Sequence, residues 1–224
     1  MLAMALFTYL SSPRGTYGMH SFPASRGCQF RTHVLCGVGC VAVSNVLICL
    51  LSAQSGVTHW GASLSWLVFS LVTFLLFFAL GSFCCMLCGW LPAMAVAYGA
   101  VNCVAIFCRI LADGMCSIFY PSYNDTVLSM GRNNIVTWLT PVLRLHLDLQ
   151  EMYTEDGTFA LPASAWKSLL VYGIAALVLL VAGALLYRIR RSEASGDTLA
   201  FRPLRPVVRW AVGLLGGLGL GLVL

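Results

Sequence analysis

Few residues in this chain have the types and spacing to do chemistry, and each group points to a different reaction. Cys85-Met-Leu-Cys88 has the spacing of a zinc or redox pair. Such a site needs a second pair or a histidine, and none stands nearby in the sequence, so both thiols read as small hydrophobes packed in a helix. Gly61-Ala-Ser63 beside His59 has the ingredients of an intramembrane serine protease. An activated serine, however, needs a base held within hydrogen-bond reach, usually from another helix. A helix-start serine and an interfacial histidine account for these residues. Arg109 and Asp113 are spaced to pair across one helical turn inside an apolar run, where a snorkelling structural pair is the expected role. Neither a G-x-x-x-x-G-K-[ST] phosphate loop nor an H-E-x-x-H metal site occurs, so the chain is not expected to hydrolyse ATP itself. The expectation is a non-enzyme with no catalytic residue, metal or cofactor of its own.

The elements that position these residues are dictated by composition. Hydrophobic residues make up 59% of the 224 residues and charged residues only 9%, with a mean hydropathy of +0.86. A soluble domain has about 25% charged residues, so this chain lacks the polar surface to face water all round. It reads as all-α: a polytopic transmembrane helical bundle with about five spans and a short external interfacial helix. The net charge of +5 does not indicate nucleic acid, because the arginines sit beside apolar runs rather than on one soluble face. The expected environment is the lipid bilayer. Of the ten cysteines, eight lie in or at the edges of apolar runs, where packing explains them.

A spanning helix needs about 20 mostly apolar residues. Residues 32–51, 63–88, 91–111 and 168–187 meet that need, and 210–224 form a fifth run. The pattern breaks at Cys88-Gly-Trp-Leu-Pro92, where proline at the start of the next helix costs little. Arg14, Arg26 and Arg31 precede the first span, and Arg188, Arg190, Arg191, Arg202, Arg205 and Arg209 lie between the fourth and fifth. Only Arg132, Arg144 and Lys167 lie between the third and fourth. Nine against three puts the first two groups in the cytoplasm and the third outside. The chain therefore divides into 1–31, a helix end plus cytoplasmic coupling segment; 32–120, three spans; 121–167, an extracytoplasmic segment; 168–187, a span; 188–209, a basic cytoplasmic loop; and 210–224, a partial span. Both ends are expected to be interrupted helices of a larger protein. Within 135–149, apolar residues broken by Arg144, His146 and Asp148 suggest a short helix lying on the outer surface or dipping into it, bent or started at Thr140-Pro141. Gly213, Gly217 and Gly221 recur every four residues, and Gly37 and Gly39 lie on the first span; small residues at such positions let helix backbones approach closely.

The two basic segments mix turn formers, arginines and apolar side chains, the chemistry of short structured elements. One reading of them is topogenic, with arginines that orient the chain and meet anionic headgroups. The order Tyr9-Leu-x-Ser-Pro-Arg14, then Met19-His-Ser-x-Pro-x-x-Arg26, then Phe30-x-Thr32 resembles the permease subunits of a family of bacterial ABC exporters. In that family a similar segment joins the second and third helices; residues 9–32 match it, with Phe22 in the usual leucine position. A family pattern Arg/Lys-x-x-Glu-x-x-Gly followed by Phe-x-Pro-Leu-x-Pro is matched by Arg190, Glu193, Gly196 and residues 201–206. The resemblance implies a membrane subunit of the type-2 export class in the bacterial cytoplasmic membrane. Such a subunit pairs with a second permease, as a homodimer or heterodimer, and docks onto separate ATPase subunits that hold ATP and Mg. It implies that Arg14, His20, Ser21, Pro23 and Arg26 contact the ATPase, and that Arg190, Arg191, Glu193, Gly196, Arg202 and Pro203 form a second cytoplasmic contact or anchor the helix end. The alternative is a non-transporting membrane protein: a sensor, anchor or assembly factor whose arginine loops serve only topology.

Overall fold

A computed structural model describes residues 2–54, 60–119, 134–152, 161–190, 195–201 and 203–223. The described residues are mostly helical, with no strand among them. Among the described residues nine α-helices follow in order: α1 Leu2–Leu6, α2 Pro13–His20, α3 Arg26–Gln54, α4 Trp60–Leu87, α5 Leu91–Phe119, α6 Ile135–Leu139, α7 Pro141–Met152, α8 Ala163–Ile189 and α9 Leu204–Val223, with a 3-10 turn at Thr8–Ser11. Four of them, α3, α4, α5 and α8, are long and apolar enough to cross a membrane, and they define a multi-pass helical membrane protein.

The long helices overrun the apolar runs that nucleate them. Helix α3 begins at Arg26, α5 continues to Phe119 and α8 begins at Ala163. Polar residues flanking a span do not break a helix; they extend it into the headgroup layer. Helices of 27–29 residues reach about 40 Å at about 1.5 Å per residue, beyond the roughly 30 Å hydrocarbon core. The chain turns between α4 and α5 at Cys88-Gly-Trp, where the sequence breaks the helical pattern.

Helix α4 is the centre. It packs most extensively against α8 and next against α3, and from Leu76 to Met86 it is buried on almost every side. Gly37 of α3 permits that approach, since a Cβ there would lie 2.6 Å from the Phe78 ring and 3.0 Å from Leu6. The short α1 wedges among α3, α4 and α5 at one end of the bundle. There Met4, Phe7 and Leu10 join Phe30, Cys85, Met86 and Tyr187 in one core. A second core at the opposite end combines Phe69 and Leu76 of α4 with Leu145, Met152, Leu169 and Tyr172. The first end carries Arg14, Arg26, Arg31, Arg188, Arg190 and Arg205 and is called the basic end below.

The region around residues 135–149 breaks where its sequence leads one to expect. It is two helices, broken at Thr140-Pro141. Their buried face is mixed: Arg144 and Asp148 are buried alongside Leu145 and Met152, while Ile135, Leu139 and Val142 are exposed. A polar pair satisfied by α8 fixes that orientation, which hydropathy alone does not report. The glycine expectation divides. A Cβ at Gly213, Gly217 or Gly221 would meet nothing from another element within 4 Å, whereas one at Gly219 would lie beside Phe107 and Leu111 of α5. Gly39 is likewise open, so only Gly37 makes the close contact expected of the first span.

Candidate functional site at the basic end of the bundle

The first basic segment folds as a compact turn. Ser12 caps α2 by accepting from the Gly15 N–H at 3.1 Å, with Pro13 opening the helix. Thr16 Oγ1 donates to the Tyr9 and Ser12 carbonyls at 3.1 and 3.0 Å, which folds the 3-10 turn onto α2. Ser25 then caps α3 through the Cys28 N–H, and Gln29 Nε2 donates back to the Met19 carbonyl at 2.7 Å.

The second basic segment locks onto this turn through Arg190, which follows the last residue of α8. Its guanidinium is buried and donates to the carbonyls of Cys85 (2.6 Å), Met86 (3.2 Å) and Leu10 (3.3 Å). These are carbonyls at the end of α4 and in the 3-10 turn, groups that have no further partner in their own helices. Burial lowers the Arg190 pKa, yet a guanidinium keeps its proton in any protein. Arg26 closes the circuit, donating to the Arg190 carbonyl at 2.7 Å. Tyr9 and Tyr187 bond hydroxyl to hydroxyl at 2.9 Å, and the Tyr187 hydroxyl donates to Gln29 Oε1 at 3.1 Å.

Beyond Arg190 the chain pairs with the α4–α5 turn. The Gly196 N–H donates to the Gly89 carbonyl (2.8 Å), the Gly89 N–H to the Asp197 carbonyl (2.9 Å), and the Ala200 N–H to the Leu87 carbonyl (2.8 Å). Gly196 has φ +94°, a conformation that side chains resist, so glycine is needed to make this turn. Arg205 then pairs with Asp197 at 2.5 Å.

The structure thus separates the sequence-selected residues into two groups. Arg14, Ser21, Pro23 and Pro203 are exposed, as is Phe22 at 63%. His20 and Arg26 are half-buried and turned inward, with His20 6.1 Å from the Tyr187 ring. Arg190 and Gly196 are structural: one ties three elements together, the other shapes the turn. Arg191, Glu193 and Arg202 lie outside the described residues, as does His59. Tyr9, Tyr187, Gln29 and Ser195 were not selected by sequence reasoning. The available signal was a tyrosine at each edge of an apolar run, facing an arginine.

No activated nucleophile stands here. Burial pushes the Tyr9 phenol and the Cys88 thiol up, the direction that keeps both protonated. His20 is held below its ordinary value, first by burial and then by the Arg26 charge. Among the described residues no group of three His, Cys, Asp or Glu side chains could hold a metal. Ser63 sits 3.4 Å from Ser52 between α3 and α4, in a packing contact. Arg109 and Asp113 pair at 2.9 Å near the far end of α5, with Asp113 buried, as their spacing predicts. The basic end joins an exposed helical turn to the ends of α3, α4 and α8 through these hydrogen bonds.

Fold and site together define a multi-pass helical membrane protein with a hydrogen-bonded cap at one end. No protein-family model, curated protein or solved structure matches the chain.

Proposed function

We propose that the chain is the membrane-spanning permease subunit of an ATP-driven bacterial ABC exporter of the type-2 class. The observation that carries this reading is the pair of motif segments, residues 9–32 and 190–206, which resemble the coupling loop and a second cytoplasmic stretch of that family. Their placement supports it. The two segments lie far apart in sequence yet share one hydrogen-bonded cap, and α2 with the turn after it presents Arg14, Ser21, Phe22 and Pro23 outward. In this reading the exposed residues meet a separate ATPase subunit that holds ATP and Mg. Closure of the ATPase dimer pushes α2, and the Arg26–Arg190 and Tyr9–Tyr187 links pass the motion to α3 and α8. A second permease subunit completes the translocation path. The cap then acts as a rigid lever, which is why its interior residues bond to backbone rather than face solvent.

The test is copurification of the whole protein from detergent-solubilised membranes, comparing wild type with Arg14→Glu/Phe22→Asp. These exposed positions avoid damage to the cap. An ATPase subunit recovered with wild type and lost with the variant supports the reading. If wild type brings down no ATPase, the exporter reading falls and the sensor or anchor reading replaces it.

A further inference from the structure

Between α3 and α8, at the membrane level of the basic end, lies an open groove of ≈ 490 Å³. Leu35 on one wall and Val181 and Leu185 on the other are apolar and more than half exposed, and the buried Phe30 belongs to the same lining. Two arginines, Arg31 and Arg188, belong to this lining also. Arg188 reaches across from α8 to α3: its Nη2 lies 3.2 Å from where a Cβ on Gly27 would be. Gly27 is one helical turn before Arg31, so both guanidinium groups stand at the same end of the groove. Among the described residues neither arginine has a carboxylate partner, unlike Arg109, Arg144 and Arg205. Nor do they donate to backbone carbonyls as Arg26 and Arg190 do.

We propose that this groove binds one anionic phospholipid, with an acyl chain along Leu35, Val181 and Leu185 and its phosphate held between Arg31 and Arg188. Charge complementarity chooses the occupant: an apolar trough inside the span with two arginines at its rim matches a lipid whose head is negative. The volume fits a drug-sized to chain-sized ligand. The proposal is independent of the exporter reading.

The experiment is native mass spectrometry of the purified full chain titrated with phosphatidylglycerol and with phosphatidylcholine of the same acyl chains. Wild type is expected to retain the first about tenfold better or more. Arg31→Gln/Arg188→Gln should abolish that preference, and Arg31→Lys/Arg188→Lys should keep most of it. Ala184→Phe, which fills the groove without touching charge, should weaken binding of both lipids, and thermal unfolding checks that each variant folds. Arg209→Gln lies outside the groove and should leave binding unchanged. Equal losses for Arg209→Gln and Arg31→Gln would mean a diffuse basic surface and overturn the proposal. So would full binding by Ala184→Phe, or displacement of the lipid by inorganic phosphate alone.

Discussion

At the basic end a buried arginine faces carbonyl oxygens; at the opposite end a buried arginine faces a carboxylate. Arg190 donates to the carbonyls of Cys85, Met86 and Leu10. Arg144 lies 3.6 Å from Asp148 on its own helix, donates Nε to Ser168 Oγ at 2.9 Å, and stacks over the Trp138 ring at 4.2 Å. Tyr172 completes that second site by donating to the Trp138 carbonyl at 3.0 Å. Both arginines tie α8 to a neighbouring segment, but they do it with different physics. Arg144 belongs to an ion pair formed within one helix. Arg190 is a single charge solvated by helix-end dipoles, whose negative poles suit a cation. The first arrangement orients one helix; the second gathers three elements that are remote in sequence.

That contrast can be broken experimentally. The largest expected effect is at the opposite end, where Arg144→Gln removes the cation beside the buried Asp148 carboxylate and should cost about 3–5 kcal/mol of stability in denaturant unfolding in detergent. Arg144→Met/Asp148→Leu removes both charges and should restore most of that loss, which would show that the pair fixes orientation more than it stabilises. At the basic end, Arg190→Gln leaves only neutral carbonyls behind and should cost less, about 2 kcal/mol. Its signature is local: protease cleavage within residues 8–25 and 195–201 should rise, while α7 stays protected. The two sites are about 33 Å apart along α8, so their effects should add. Cleavage at the basic end caused by Arg144→Gln would show that the ends are not independent.

The smallest effect sharpens the comparison by pH. His20 is held below its ordinary value by burial and by Arg26, so the folded cap binds fewer protons than the unfolded segment. Stability from this residue is therefore full above about pH 6.5 and is lost as pH falls toward the lowered folded value. Hydrogen exchange of α2 should be faster at about pH 5.5 than at about pH 7.5, and His20→Gln should flatten the difference. No change in the wild-type protein would mean that His20 is no part of the cap. No matching response is expected in α7 from this group.

What was legible in advance follows one rule. Properties that depend on how apolar a stretch is, and on where it is interrupted, could be read from residues alone. The helical class, four of the five expected spans, the break at Thr140-Pro141 and the Arg109–Asp113 pair are all local, set within one helix or one turn. The resemblance in residues 9–32 is local too. The inward turn of Arg144 and Asp148, the open face of Gly213, Gly217 and Gly221, and the gathering of Arg26, Arg190 and Tyr187 around the 3-10 turn are not. Each depends on which surface another helix brings against it. A charge in a membrane protein seeks the nearest polar partner, and only the packed structure decides whether that is a headgroup, a carboxylate or the bare end of another helix. The sequence determined that this chain crosses a membrane with its arginines gathered between spans. The tertiary structure decided which of those arginines hold the protein together and which are left facing outward.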